Sequence, residues 1–139
     1  YGMLQSSFNK NYDFLTKKFG LNTIDMNRKI KEYSHGMKQK ICLMASLIHN
    51  PKIWILDEPT VGLDIMVYEV LLKMIKDFAR FGKTVFITSH NIELVSKVCD
   101  RVAIINDGKV AMTLDFNKEP LKRKELSKLF FKIYGEDVR

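Results

Sequence analysis

The sequence has 139 residues, of which 46% are hydrophobic, and this is enough for one domain with a buried core. Its 23 basic and 16 acidic residues give a net charge of +7, which permits contact with an anionic partner but selects none. This composition argues against collagen, coiled coil and disorder, and no apolar run approaches the roughly 18 residues that a membrane span requires.

Two helices are predicted in the first fifty residues. Apolar residues recur at helical spacing from Phe8 to Phe19, and Gly20 follows where a helix commonly ends. A second helix is predicted from about Gly36 to His49, with Ser34 as its N-cap. Its predicted buried face consists of Met37, Ile41, Met44, Ala45 and Ile48.

A strand, a helix and a second strand are predicted next. The short apolar run Ile53–Leu56 is typical of a buried parallel strand. Helical spacing follows from about Ile65 to Phe81, and a second short strand covers Thr84–Thr88.

The last fifty residues predict a helix, a hairpin and a final helix. The first of these helices covers about 91–100, and the hairpin joins strands 102–105 and 110–114 through Asp107-Gly108. The final helix covers about 121–134. This alternation predicts an α/β fold with a mainly parallel sheet and flanking helices.

The two cysteines, Cys42 and Cys99, lie in apolar, helix-like patterns without the spacing of metal ligands. We therefore expect reduced thiols in the core of a cytosolic protein.

Polar residues follow both predicted parallel strands. Asp57 and Glu58 end the first strand, and alternation along a strand would direct one carboxylate towards a metal and the other towards a water molecule. Ser89 and His90 end the second strand, where an imidazole can meet a phosphate. Because the exits of neighbouring parallel strands meet at one edge, these residues predict a ligand site there.

A third candidate is the start of the second helix, Ser34-His35-Gly36. Its unpaired backbone N–H groups and the positive end of the helix dipole favour an anion, and a glycine allows close approach. This start predicts a phosphate site.

Four segments in order resemble the motifs of ATP-binding cassette (ABC) ATPases. Residues 33–40 read Tyr-Ser-His-Gly-Met-Lys-Gln-Lys, and residues 53–60 read Ile-Trp-Ile-Leu-Asp-Glu-Pro-Thr. Residues 61–64 read Val-Gly-Leu-Asp, and residues 88–90 read Thr-Ser-His. They resemble the signature motif, the Walker B strand with its catalytic glutamate, the D-loop and the switch histidine. The resemblance implies part of a P-loop NTPase fold, with the end of a helical subdomain at 1–50 and the C-terminal part of the ATPase core at 51–139.

The resemblance also implies roles at the strand exits, with ATP and Mg²⁺ as cofactors. Asp57 would hold Mg²⁺ through its water shell, and Glu58 would polarise the water that attacks the γ-phosphate. His90 would contact that phosphate.

ATPases of this family dimerise head to tail around ATP, so the resemblance implies a second ATPase subunit as a partner. Ser34 and Gly36 would then serve the nucleotide bound by the partner subunit. His35 departs from the family pattern, and we expect it to add a cation near that phosphate. Asp64 would contact the partner across the interface.

The sequence departs from the family pattern in two ways. The signature usually reads Leu-Ser-Gly-Gly-Gln, and Tyr33, His35 and Met37 replace its first, third and fifth residues. No Walker A loop is found, because Gly82-Lys83-Thr84 has Asp77 where that pattern requires glycine and lies between a helix and a strand. We therefore expect the C-terminal part of a longer subunit, inactive in isolation.

The function implied is ATP hydrolysis that drives export, by a subunit bound to transmembrane permease subunits at the cytoplasmic face of the membrane. One alternative is an ABC ATPase that acts on ribosomes or DNA. Another is a basic nucleic-acid-binding module, which only the charge supports, since no base-reading helix or stacking aromatic pattern is present. Nucleic acid is not expected as a partner.

Overall fold

The computed structural model describes residues 5–135. The chain forms two compact units, the first ending at Thr88 and the second beginning at Ser89. The domain boundary predicted between residues 50 and 51 is based on the motifs and not on compactness. It stays a prediction.

The first unit contains four α-helices, a short 3₁₀-helix and two strands within its described residues. In chain order they are α1 (Gln5–Lys18), α2 (Thr23–Met26), the 3₁₀-helix (Ile30–Glu32), α3 (His35–Leu47), β1 (Ile53–Asp57), α4 (Ile65–Arg80) and β2 (Thr84–Thr88). The sequence predicted α1, α3, α4 and both strands. It missed α2 and the 3₁₀-helix, which are too short to show periodicity.

Helix α3 confirms the predicted cap but turns a different face inward. Ser34 is its N-cap, and the buried residues are Leu43, Met44 and Leu47. Ala45, predicted to be buried, is exposed. The buried stripe is therefore rotated by about one position, because the larger leucine side chains fill the core in place of alanine.

Strands β1 and β2 pair in parallel, with Ile53 opposite Thr84 and Asp57 opposite Thr88. Trp54 is 1% exposed, and its indole Nε1 donates to Ser46 Oγ in α3 at 2.8 Å. The same ring lies 5.5 Å from the Phe78 ring of α4. One face of the sheet is therefore packed against α3 and α4.

The other face of β1 is exposed, so the prediction of a buried strand is correct for one face only. Ile53 is 60% exposed and Ile55 is 70% exposed, and Phe86 on β2 is exposed beside them. Continuous apolar sequence indicated cover on both faces, but helices of the described residues cover only the face of Trp54 and Leu56.

The second unit contains α5 (Ile92–Val98), β3 (Arg101–Asn106), β4 (Lys109–Asp115) and α6 (Pro120–Gly135). The two strands form the predicted antiparallel hairpin. Its turn has positive φ at Asp107 (49°) and Gly108 (70°), as a two-residue turn between twisted strands requires. Ile104, Leu114, Phe116 and Leu126 form the core of this unit.

Both cysteines are free, but Cys42 is exposed, so its predicted core position is wrong. It lies on the solvent side of α3, next to the buried Leu43. Cys99 is partly buried, and this burial raises the pKa of its thiol. Among residues 5–135, no helix combines the length and the apolarity needed to cross a bilayer.

Candidate functional site

The carboxyl end of the parallel pair carries the two predicted carboxylates. Asp57 is the last residue of β1 and is exposed, and it accepts a hydrogen bond from the Thr88 hydroxyl at the end of β2. The backbone N–H of Glu58 donates to Thr88 O at 2.9 Å, which continues the ladder past the strand end. The strands thus hold both carboxylates beside the exit of β2, as the parallel topology predicted.

Glu58 takes its direction from the backbone and not from strand alternation. It lies after β1, half-buried, with φ of 42° in the left-handed region. Few non-glycine residues adopt this conformation, and it is most common at functional sites and turns. The two carboxylates therefore differ because the chain leaves the strand at Glu58, and the explanation from alternation is corrected.

The start of α3 has the geometry expected of an N-terminus with a neutral cap. Ser34 is extended (φ −60°, ψ 163°), and its Oγ accepts from Met37 N at 3.2 Å. No acidic residue lies in the first turn of α3. The positive end of this helix dipole therefore has no carboxylate from its own first turn.

The segment 58–64, which we call the post-strand loop, packs against the start of α3. Gln39 Nε2 donates to Pro59 O at 3.4 Å. A Cβ placed on Gly36 would lie 3.2 Å from Gly62 O, so the two backbones approach closely. The post-strand loop therefore links Glu58 to the predicted phosphate site within the first unit.

His35 lies directly over Gly62. Gly62 has φ of 75°, and a Cβ placed on it would overlap the His35 ring, 2.5 Å from Nε2. The backbone conformation favours glycine at this position, and a larger residue would also require the exposed His35 ring to move.

Asp64 ends the post-strand loop as the N-cap of α4. Its Oδ1 accepts from Val67 N at 2.9 Å, and its Oδ2 lies 3.6 Å from Lys40 Nζ on α3. The backbone hydrogen bond from Val67, with a smaller effect of Lys40, lowers the pKa of this carboxyl. Its predicted contact with a partner stays a prediction, and 59% of its side chain is exposed.

The structure brings most predicted site residues together in the first unit. Asp57 and Glu58 share one strand exit, and Ser34 caps α3. His35, Gly36 and Asp64 lie where α3 meets the post-strand loop. The predicted switch histidine lies in the second unit. There, His90 precedes Asn91, which caps α5 and whose N–H donates to Ser89 Oγ at 3.1 Å.

The sequence motifs include Thr88, Gln39 and Lys40, but sequence reasoning gave these residues no role at the site. The paired strand ends signalled Thr88, since its position opposite Asp57 follows from the register of two five-residue strands. Within residues 5–135, no group of three or more His, Cys, Asp or Glu side chains lies together as a preformed metal site.

The chain is similar in sequence to a known protein family and to individual members of it. Residues 5–61 match the family described as ABC transporter. The chain is 37% identical over 110 residues to the ABC transporter ATP-binding protein NatA of Bacillus subtilis, covering 79% of this chain and 44% of that protein. It is 39% identical over 103 residues to the lantibiotic transport ATP-binding protein SrtF of Streptococcus pyogenes, covering 74% of this chain and 44% of that protein.

This chain is part of an ABC transporter ATPase domain. It spans less than half the length of these two curated relatives. The ATP-binding subunit of an ABC transporter shares the fold, with a TM-score of 0.85 over 96% of this chain and 57% of that one at 22% identity. A dimeric ATP-binding cassette bound to ADP and Pi gives a TM-score of 0.71 over 83% of this chain and 50% of that one, at 26% identity. The predicted family and its α/β P-loop NTPase fold are confirmed.

Proposed function

We propose that this ABC ATPase chain belongs to a transporter subunit that hydrolyses ATP to drive export. The observation that carries the proposal is the exit of the parallel pair, where Asp57, Glu58 and Thr88 meet. Phosphoryl transfer needs accurate positioning and charge stabilisation more than covalent chemistry, and fixed polar groups at one sheet edge supply both. The name of another relative, the Nod factor export ATP-binding protein I of Burkholderia orbicola, supports export as the direction of transport.

The donor set at this exit fits Mg²⁺. Asp57 offers an exposed carboxylate, and its neighbour Thr88 offers a hydroxyl oxygen. Mg²⁺ prefers such hard oxygen ligands and is usually held by one or two carboxylates together with water and substrate phosphates. Asp57 would hold the ion, which when bound neutralises charge on the phosphates.

Glu58 acts on the water that attacks the γ-phosphate. Its left-handed backbone turns it away from the strand, and the bond from its N–H to Thr88 O fixes where the turn begins. A carboxylate held in this way accepts a proton from the water and aligns it for in-line attack. His90 contacts the γ-phosphate as it accumulates charge.

The start of α3 serves a nucleotide bound by a second ATPase subunit. Ser34 and Gly36 present the amino end of the helix to a phosphate, and the Ser34 hydroxyl is neutral, so it does not repel the anion. His35 lies at the same helix start, and Asp64 faces the partner. The dimeric cassettes among the structural relatives support the second subunit.

Transmembrane permease subunits complete the proposed assembly, with the ATPase held peripherally at the cytoplasmic face of the membrane. The names of the relatives support association with a transporter.

Replacing Glu58 with Gln tests the catalytic assignment in the full-length protein. We expect ATP to bind and the rate of hydrolysis to fall about 100-fold or more, because an amide cannot accept the proton of the attacking water. Turnover is measured as phosphate release, and binding by calorimetry. Glu69→Gln, the same change on the exposed side of α4, serves as the control, and normal turnover in Glu58→Gln would remove Glu58 from this role.

The isolated 139-residue chain is expected to bind ATP weakly. Its sequence lacks the Gly-rich loop with Lys and Ser/Thr that holds the β- and γ-phosphates. Titration of the chain with MgATP in a calorimeter should therefore give no saturable heat up to about millimolar nucleotide, where the free energy of binding is only about 4 kcal/mol. A micromolar Kd would contradict this.

A further inference from the structure

The post-strand loop is held against α3 at three places along its length. Near its start, Gln39 donates to Pro59 O. In its middle, the His35 ring covers Gly62, and at its end Lys40 approaches Asp64. The loop also has internal hydrogen bonds, from Val61 N to Glu58 O and from Leu63 N to Thr60 O, both at 3.3 Å.

The contact of His35 with Gly62 is a direct steric contact, whereas the contacts of Gln39 and Lys40 with the loop are polar. The Gln39 bond is long at 3.4 Å, and the Lys40 pair at 3.6 Å involves a largely exposed carboxylate, so each contributes little. The ring edge of His35, by contrast, fills the space that a side chain on residue 62 would need. The His35 side chain is exposed on its outer side, but ring and backbone cannot overlap, so the ring limits movement of residue 62 towards α3.

We propose that His35 is a positioning residue that holds the post-strand loop, and through it Glu58, in register with the start of α3. The inference rests on the proposed function, since it assigns the effect to the hydrolysis step. His35 stands at the third signature position, where the family usually has glycine. In this chain the side chain added there packs against Gly62, so the phosphate-facing helix start and the hydrolytic carboxylate move as one body.

This role differs in its kinetics from a direct contact of His35 with phosphate. A cation beside the nucleotide would contribute to binding, so its loss would raise the KM for ATP. Loss of a positioning contact leaves KM nearly unchanged and lowers kcat, because a misplacement of about 1 Å at the reacting atoms slows the chemical step.

The experiment compares His35→Ala with His35→Gln in the full-length ATPase. We expect His35→Ala to lower kcat about tenfold at an unchanged KM, through loss of alignment. His35→Gln keeps a planar side chain of similar reach and should retain most of the turnover. His49→Ala, the same substitution just beyond the other end of α3, is the matched control and should behave like the wild type.

A double variant tests whether the His35 ring and a side chain at residue 62 compete for the same space. Gly62→Ala should lower kcat more than His35→Ala does, because the new methyl group meets the ring in a strained backbone conformation. Removing the ring in His35→Ala/Gly62→Ala should raise kcat above that of Gly62→Ala alone. If His35→Ala fails to fold, His35→Gln and Gly62→Ala still provide the comparison.

Three results would overturn the proposal. They are a raised KM with unchanged kcat in His35→Ala, a double variant whose loss equals the product of the two single losses, and a kcat in His35→Ala equal to that of His49→Ala. Each can arise while Glu58→Gln abolishes hydrolysis, and then only the role of His35 fails. Absence of ATP hydrolysis in the wild-type protein would instead refute the proposed function together with this inference.

Discussion

Helices α3 and α4 begin with the same capping geometry and differ in charge. Ser34 and Asp64 are both extended N-caps whose side-chain oxygen accepts from the backbone N–H three residues later, at 3.2 and 2.9 Å. Ser34 is neutral. Asp64 is a carboxylate that also lies 3.6 Å from Lys40.

Because of this difference in charge, the start of α3 can accept an anion, whereas the start of α4 already carries a negatively charged cap. At α4, the negative charge of Asp64 offsets the positive end of the helix dipole. At α3, a neutral hydroxyl satisfies one N–H and leaves the dipole uncompensated by any carboxylate of the first turn. Two caps of similar stability can therefore have different capacities for phosphate.

Ser34→Asp should have the largest effect, because it gives α3 the cap of α4. Aspartate caps a helix as well as serine does, so the unfolding transition should be unchanged. Its charge should repel the phosphate, and we expect ATPase activity to fall about 100-fold, comparable to loss of an oxyanion donor. Activity and thermal unfolding are measured on the same preparation, and an active Ser34→Asp enzyme would show that no phosphate approaches this helix.

Ser34→Ala should have an intermediate effect, since it removes the cap without adding charge. The free energy of unfolding should fall by about 1 kcal/mol, and Ser34→Gly should lose only a few tenths. Urea unfolding measures both values. An Ala variant as stable as the wild type would mean that the bond from Met37 N contributes nothing at this helix start.

Asp64→Asn should have the smallest effect, seen chiefly in the pH dependence of stability. The pKa of Asp64 is lowered from its ordinary value of 3.8, first by the bond from Val67 N, so the folded state favours the carboxylate. Its contribution to stability is complete above 3.8 and is lost as the pH falls through the lowered folded value. The variant keeps a capping oxygen, so wild type and variant should differ slightly at pH 7 and converge in acid. A constant difference across this range would exclude the charge as its cause.

The sequence was sufficient for the elements with clear periodicity and for the strand exits. Helices α1, α3 and α4 and the parallel pair follow from repeated apolar spacing and short apolar runs, and Asp57 marks the exit because it ends such a run. The Asp107-Gly108 turn was equally clear, because few dipeptides accept two positive φ angles in succession.

The contacts between α3 and the post-strand loop could not be predicted in the same way. Gly62 signals a turn, but sequence gives no indication that His35, 27 positions earlier, occupies the space above it. The left-handed backbone of Glu58 was also missed, because glutamate has no preference for it and tertiary contacts impose it. Exposure of Cys42 and of one face of β1 depends on which surfaces other segments cover, and local pattern does not contain that information.

The position of Trp54 gives the first unit an optical signature of its own. It is the only tryptophan in the sequence, and it is held between Ser46 of α3 and the Phe78 ring of α4. Its fluorescence emission reports whether α3, α4 and β1 remain packed, while the hairpin and α6 of the second unit contribute no indole signal. Comparing the emission shift with far-ultraviolet circular dichroism during denaturation therefore separates loss of the packing of α3, β1 and α4 from loss of secondary structure in the whole chain.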